Sequence, residues 1–166
     1  MNKSEKERLL VNIGRFDHYY DSINNKIAVY IAINTFLLGG IIGTYFTINS
    51  KLSIYKTSIE FLIILLILVG LLTIAVLIYT SIPFLGFKSS SLYYFGTISK
   101  NTFSDYKEKS KKCDEKEDLN DLREQVYFLS KGLSKKFSIL RITGQSMLCQ
   151  VIVLIIVSLL IFKNNI

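Results

Sequence analysis

At 166 residues the chain has the length of one domain, and with two cysteines and a single histidine it holds neither a disulfide framework nor the side chains for a histidine-built metal or triad site. Half of it is hydrophobic and its net charge is +7. The apolar residues are not spread as in a globular core: residues 27 to 50, 61 to 87 and 142 to 162 contain no Asp, Glu, Lys, Arg or His, and each run has the roughly 20 residues a helix needs to cross a hydrocarbon layer about 30 Å thick.

In chain order, residues 5 to 26 read as an amphipathic helix. Leu9, Ile13, Phe16, Tyr20, Ile23 and Ile27 recur at steps of four and three, the seam of a helix packed on other helices. No proline or turn cluster separates this stripe from the first span, 27–48, so one helix from about residue 5 to 48 is predicted. The run starts too deep in the chain, and lacks the small-residue site, for a cleaved signal peptide. Within it, Gly39, Gly40 and Gly43 make a smooth patch, Gly39 and Gly43 at GxxxG spacing, suited to close packing inside the chain or between copies. Asn34 here, and Gln145 and Gln150 in the third span, are expected to face other helices or a watery lumen.

After a short connection at 51–60 comes a second span, 60–82, closed by Pro83, the only proline; "SIPFLGFKSSS" reads as an elbow. Ser90 or Ser91 is expected to cap a helix over "LYYFGTISKNTFSDYKEKSKK", whose basic end suits a helix carboxyl terminus. Asp114 with Glu117 marks the start of a returning helix. Leu119, Leu122, Val126, Leu129, Leu133, Phe137 and Leu140 form its seam, and it merges into the third span, 142–162. The expected architecture is therefore an all-α membrane protein in a single domain of 1–166. Its three transmembrane helices continue into a cytosolic bundle made of the N-terminal helix and a helical hairpin, 91–141. Tyr45, Tyr55, Tyr79, Phe84 and Phe87 fall near the ends of the apolar runs, where amphipathic rings favour the interface.

Lys and Arg number five in residues 1–26, two in 51–60, twelve in 88–141 and one in the tail. Cytoplasmic flanks retain basic residues, so the amino terminus and 88–141 are predicted cytosolic and the carboxyl end outside. The same bias explains the net charge without a nucleic-acid partner. Cys113 lies in the most charged part of the chain and Cys149 in the third apolar run, so both are expected as free thiols.

No phosphate-binding glycine loop, nucleophile elbow or calcium-loop spacing is present, and His18 is read as a wet helix position. Neither an enzyme nor a metal cofactor is expected. A ligand site is sought among polar residues flanking the spans: Arg15, Asp17, Asn25 and Lys26 on the first helix, Lys135, Lys136 and Arg141 on the last, with Tyr93, Tyr94 and Tyr127 available to stack. Lipid headgroups and ordinary ion pairs account for the same residues.

Three ordered segments, "RFDHYYDSINNKIAVYIAIN" (Arg15, Asp17, Asn25, Lys26, Asn34), "YYFGTISKNTFSDY" (Phe95, Gly96, Tyr106) and "EQVYFLSKGLSKKF" (Gln125, Tyr127, Leu129, Ser130, Lys136), resemble the transmembrane effectors of the Pycsar anti-phage systems. That family's pattern favours an acidic residue two places before the lysine matched to Lys26, where this chain has Asn24. The resemblance implies a bacterial inner-membrane protein; three spans per chain are too few for a roomy pore, so its active form is expected to be homo-oligomeric. It would be activated by a cyclic pyrimidine mononucleotide, cCMP or cUMP, made by a partner cyclase, and would impair the membrane to abort infection. Arg15, Asp17, Asn25, Lys26, Tyr94, Tyr127 and Lys136 are the candidate nucleotide contacts; Asn34, Gly39, Gly43, Gln145 and Gln150 are the candidate packing residues in the bilayer. Competing readings are a related effector gated by another nucleotide or by a partner protein, and a non-lethal membrane scaffold.

Overall fold

The computed structural model describes residues 3–48, 56–83 and 91–164. Helices account for 92% of them and no strand occurs among them. In chain order they are α1 (Lys3–Ile48), α2 (Lys56–Ser81), α3 (Phe95–Ile98), α4 (Phe103–Lys112) and α5 (Glu115–Asn164). α1, α2 and α5 are long and apolar enough to cross a membrane. The elbow residues 84–90, with Phe84, Phe87 and Ser90, and residues 49–55, with Tyr55, lie outside the described residues.

Contacts divide the chain into two compact units. A polar unit comprises Met1–Ile23 and Pro83–Lys136, and an apolar unit comprises Asn24–Ile82 and Phe137–Ile166. α1 and α5 each contribute residues to both. They have 46 and 50 residues.

In the polar unit the α1 seam is buried at Leu9 and Ile23 and partly buried at Ile13, Phe16 and Tyr20. The α5 seam departs from its apolar-only reading. Phe137 is 42% exposed, and the positions turned inward along α5 are Leu122, Gln125, Leu133, Lys136 and Leu140. Their steps of three, eight, three and four keep them on one face of the helix, and two of them are polar.

The helix expected over residues 92–112 is instead two pieces. Thr102 is the N-cap of α4: its hydroxyl accepts from the Asp105 backbone N–H at 3.2 Å and donates to the Asp105 carboxylate at 2.7 Å. Upstream, Asn101 Nδ2 donates to Thr97 O at 2.8 Å and so satisfies a carbonyl near the end of α3. A side chain that can satisfy backbone groups locally competes with helix continuation. α4 then ends in Lys109, Lys111 and Lys112 and has no buried residue. Asp114 receives the Glu117 N–H at 2.8 Å on its carboxylate, the acidic cap expected at the start of α5.

The apolar unit packs α1, α2 and α5 around Ile41, Ile59, Ile63, Leu66 and Val157. Its outer surface also carries large apolar side chains, with Phe36, Phe46, Phe61, Leu72 and Phe162 at least two-thirds exposed or nearly so. A unit that is hydrophobic inside and out is suited to lipid rather than water. α2 stops at Ser81, immediately before the Ile82–Pro83 pair, because proline disfavours helix at the residue that precedes it.

Candidate functional site

The polar unit is closed by two sets of contacts on the first turns of α5. Lys6 donates to Asp118 at 2.6 Å and Tyr93 Oη donates to the other oxygen of the same carboxylate at 2.7 Å. Arg123 grips Glu5 with two bonds of 2.9 and 3.0 Å. The Lys6 hydrogen bond holds the Asp118 carboxyl below the usual carboxylate range. Burial first, and then the hydrogen bond to Asp118, push the Tyr93 phenol up. One turn further along, Ser91 is a hub. Its hydroxyl accepts from the Tyr93 and Tyr94 N–H groups at 3.1 Å each and from Gln125 Nε2 at 2.7 Å, and donates to Asp121 at 3.1 Å. Leu92 N–H also donates to Asp121, at 2.8 Å. Ser91 therefore fastens the turn entering α3 onto α5, while the N-cap of α3 is Tyr94.

Of the seven nucleotide-contact candidates, Lys136 has the most unusual surroundings. It is only 7% exposed, and its ammonium lies 6.0 Å from the centroid of the Tyr20 ring, within cation–π range. Burial lowers the Lys136 pKa. Tyr20, itself raised by burial, donates from Oη to Leu129 O at 3.0 Å, which fixes the ring under the ammonium. Tyr127 is 57% exposed with Lys131 Nζ at 5.6 Å from its centroid. Tyr94 lies against Phe95, centroids 5.0 Å apart, and a Cβ at position 96 would sit 2.7 Å from its ring, which Gly96 avoids. Arg15 and Asp17 are exposed on α1. Asn25 and Lys26 are exposed too and belong to the apolar unit, as does the exposed Arg141. The structure thus joins Lys136 to Tyr20, a residue read from the sequence only as part of a seam. The signal for that pair was the helical spacing of Lys136 with Leu133 and Leu140.

A cleft of about 790 Å³ in the polar unit lies elsewhere, between α4 and α5. Asp105, Glu108, Glu117, Asp121 and Glu124 outnumber Lys109 and Lys112 in its wall, a charge balance suited to cations rather than to a phosphate. Among the described residues no group of three His, Cys, Asp or Glu could hold a metal. Cys113 and Cys149 are free.

In the apolar unit, Asn34 is fully buried and donates from Nδ2 to Gly70 O at 2.9 Å. Gln150, 4% exposed, donates from Nε2 to Thr73 Oγ1 at 3.2 Å, and Ser146 Oγ lies 3.1 Å from the same hydroxyl. Gln145 is exposed. Gly39, Gly40 and Gly43 are open, with nothing within 4 Å of an added Cβ, so in-chain packing does not use this patch. Close approach belongs instead to Gly70, where a Cβ would lie 2.6 Å from Leu38 Cδ2, and to Gly144, where it would lie 3.1 Å from Tyr30 Oη. A single glycine in an apolar run carries no periodic signal, so nothing in the sequence marks either of them for close packing; Gly144 reads there only as a glycine the membrane helix tolerates.

The family described as the Pycsar effector protein domain matches residues 8–163, spanning both units. No curated protein and no solved structure matches the chain significantly. With that match over nearly its whole length and three helices able to cross a membrane, the chain belongs to the Pycsar effector family and is a membrane protein of anti-phage defence.

Proposed function

We propose that the protein is an inner-membrane effector switched on by a cyclic pyrimidine mononucleotide, cCMP or cUMP, from a partner cyclase, and that its active form impairs the membrane and aborts infection. It acts without catalysis of its own. The amino terminus and the polar unit face the cytosol, where the messenger is made. The observation that carries this reading is the family match over 8–163, and helix continuity supports it: α1 and α5 each run from the polar unit into the apolar unit without a break. A ligand shifts an equilibrium only by its difference in affinity between two states, and helices shared by both units give that difference a route into the bilayer.

The messenger contacts are assigned to the surroundings of Lys136 and Tyr20. A buried ammonium is a strong phosphate partner, and Tyr94 and Tyr127 offer rings for a pyrimidine. Three spans are too few to enclose a wide pore, so the conducting or disruptive form is a homo-oligomer, and the open glycine face of α1 is where a second copy can approach. A second reading has one observation in its favour: the acid-lined cleft between α4 and α5 suits a basic partner-protein surface better than an anion.

Calorimetric titration of the detergent-solubilised protein separates the two. The proposal expects saturable binding of cCMP or cUMP, with cAMP and cGMP much weaker, and loss of binding in Lys136→Ala. Absence of heat with every cyclic mononucleotide would reject it in favour of protein gating.

A further inference from the structure

Among the described residues, Asn34 Oδ1 is the one buried side-chain nitrogen or oxygen without a hydrogen-bond partner. Its amide orientation is fixed, because only the NH₂ group can face the Gly70 carbonyl 2.9 Å away. Gly70 and Thr73 are three residues apart and so share a face of α2, which places the Asn34 amide within one helical turn of the Thr73 hydroxyl. That hydroxyl has a single hydrogen, and it points at Val69 O at 2.8 Å. The 3.1 Å contact with Ser146 must then have Ser146 as donor, and Gln150 Nε2 donates to the same oxygen. The nearby side-chain donors of α2 and α5 thus converge on Thr73, and none lies within hydrogen-bond distance of Asn34 Oδ1.

A second copy cannot supply the missing donor, since Asn34 is 0% exposed. Counting along α1 from residue 27, Asn34 sits about 10 Å into the apolar run, where an unpaired amide oxygen is costly. Substituting this site with leucine would have been the cheap solution for a purely structural contact. We propose that the seam among Asn34, Thr73, Ser146 and Gln150 is a water-binding site within the membrane-spanning unit, its water donating to Asn34 Oδ1, and that this hydrated seam is where the three spans part on activation. The second clause rests on the effector reading above.

The test uses the full chain in liposomes of bacterial phospholipid. Water-edited solid-state NMR on protein labelled at asparagine and isoleucine, with the Asn34 and Ile63 signals identified by their loss in Asn34→Leu and Ile63→Leu, reports water contact in the resting protein. The expected result is transfer from water to the Asn34 side chain far faster than to the buried methyls of Ile63; transfer no faster than to Ile63 overturns the site. Leakage of an entrapped dye then reads the second clause. Asn34→Leu fills the seam, removes the unpaired acceptor from the resting form, and raises the messenger concentration for half-maximal leakage by about ten-fold. An unchanged midpoint overturns the role of the seam in opening. Should wild type itself never leak, the effector reading fails while the NMR result still decides the site.

Discussion

Ser91, in the turn entering α3, and Gln125 in the polar unit, like Asn34 and Gln150 in the apolar unit, are buried polar side chains, but they are satisfied differently. The first pair ends on a carboxylate, Asp121, through the Ser91 hydroxyl. The second pair ends on neutral groups, the Gly70 carbonyl and the Thr73 hydroxyl. A carboxylate can serve where water solvates its remaining lone pairs; in lipid an ion without a full set of partners is too costly, and only neutral groups remain. The seam of the polar unit should therefore respond to pH, salt and anionic ligands, and that of the apolar unit to packing and hydration.

The sharpest way to break this contrast is Lys136→Ala, expected to weaken cyclic-nucleotide binding more than ten-fold in calorimetry, as befits loss of a charge-assisted contact. Its stability effect has the opposite sign from an ordinary ion pair. Burial lowers the folded-state pKa of Lys136 below its unfolded value, so this group makes the protein more stable as pH rises through the folded pKa toward 10.5. Lys136→Met should remove that rise, and thermal unfolding at neutral and alkaline pH in detergent measures it.

Next in size are the glycines. Gly70→Leu forces side-chain atoms onto Leu38 and should cost about 1–3 kcal/mol in reversible unfolding, partly restored by Leu38→Ala. Gly39→Leu enters open space and should leave monomer stability within about 0.5 kcal/mol, while blocking leakage if copies meet on that face. Equal effects of the two on stability would show that α1 packs otherwise. Gln125→Leu follows, at about 1 kcal/mol, for one hydrogen bond to Ser91.

The smallest effect belongs to the Lys6–Asp118 pair. The Asp118 pKa is lowered in the folded state, so its contribution is present above the unfolded carboxylate pKa and fades as pH falls through the folded value. Both partners are partly exposed, and added salt should erase most of the difference between wild type and Asp118→Asn.

Much of the fold was legible because long uncharged runs and steps of three and four are dictated by bilayer thickness and helix pitch. The stop of α2 before Pro83 and the Asp114 cap followed from proline and capping chemistry. What went unread depended on polar residues acting as seam positions: Gln125 and Lys136 occupy inward-facing places on α5 that an apolar count assigned to Val126 and Phe137. The break before α4 was present as Thr102 and Asp105 at capping distance, but a helix drawn over 92–112 hid it. Gly39 and Gly43 carried the recognisable spacing, yet Gly70 and Gly144 make the close contacts, because which glycine meets a neighbour depends on how the helices rotate against each other.

One-sided activation tests the central claim most directly. With the protein reconstituted in dye-loaded liposomes and the polar unit oriented outward, cCMP or cUMP added outside should release dye from wild type and not from Lys136→Ala. Dye release that is the same with and without messenger, or absent with both nucleotides, would contradict the account.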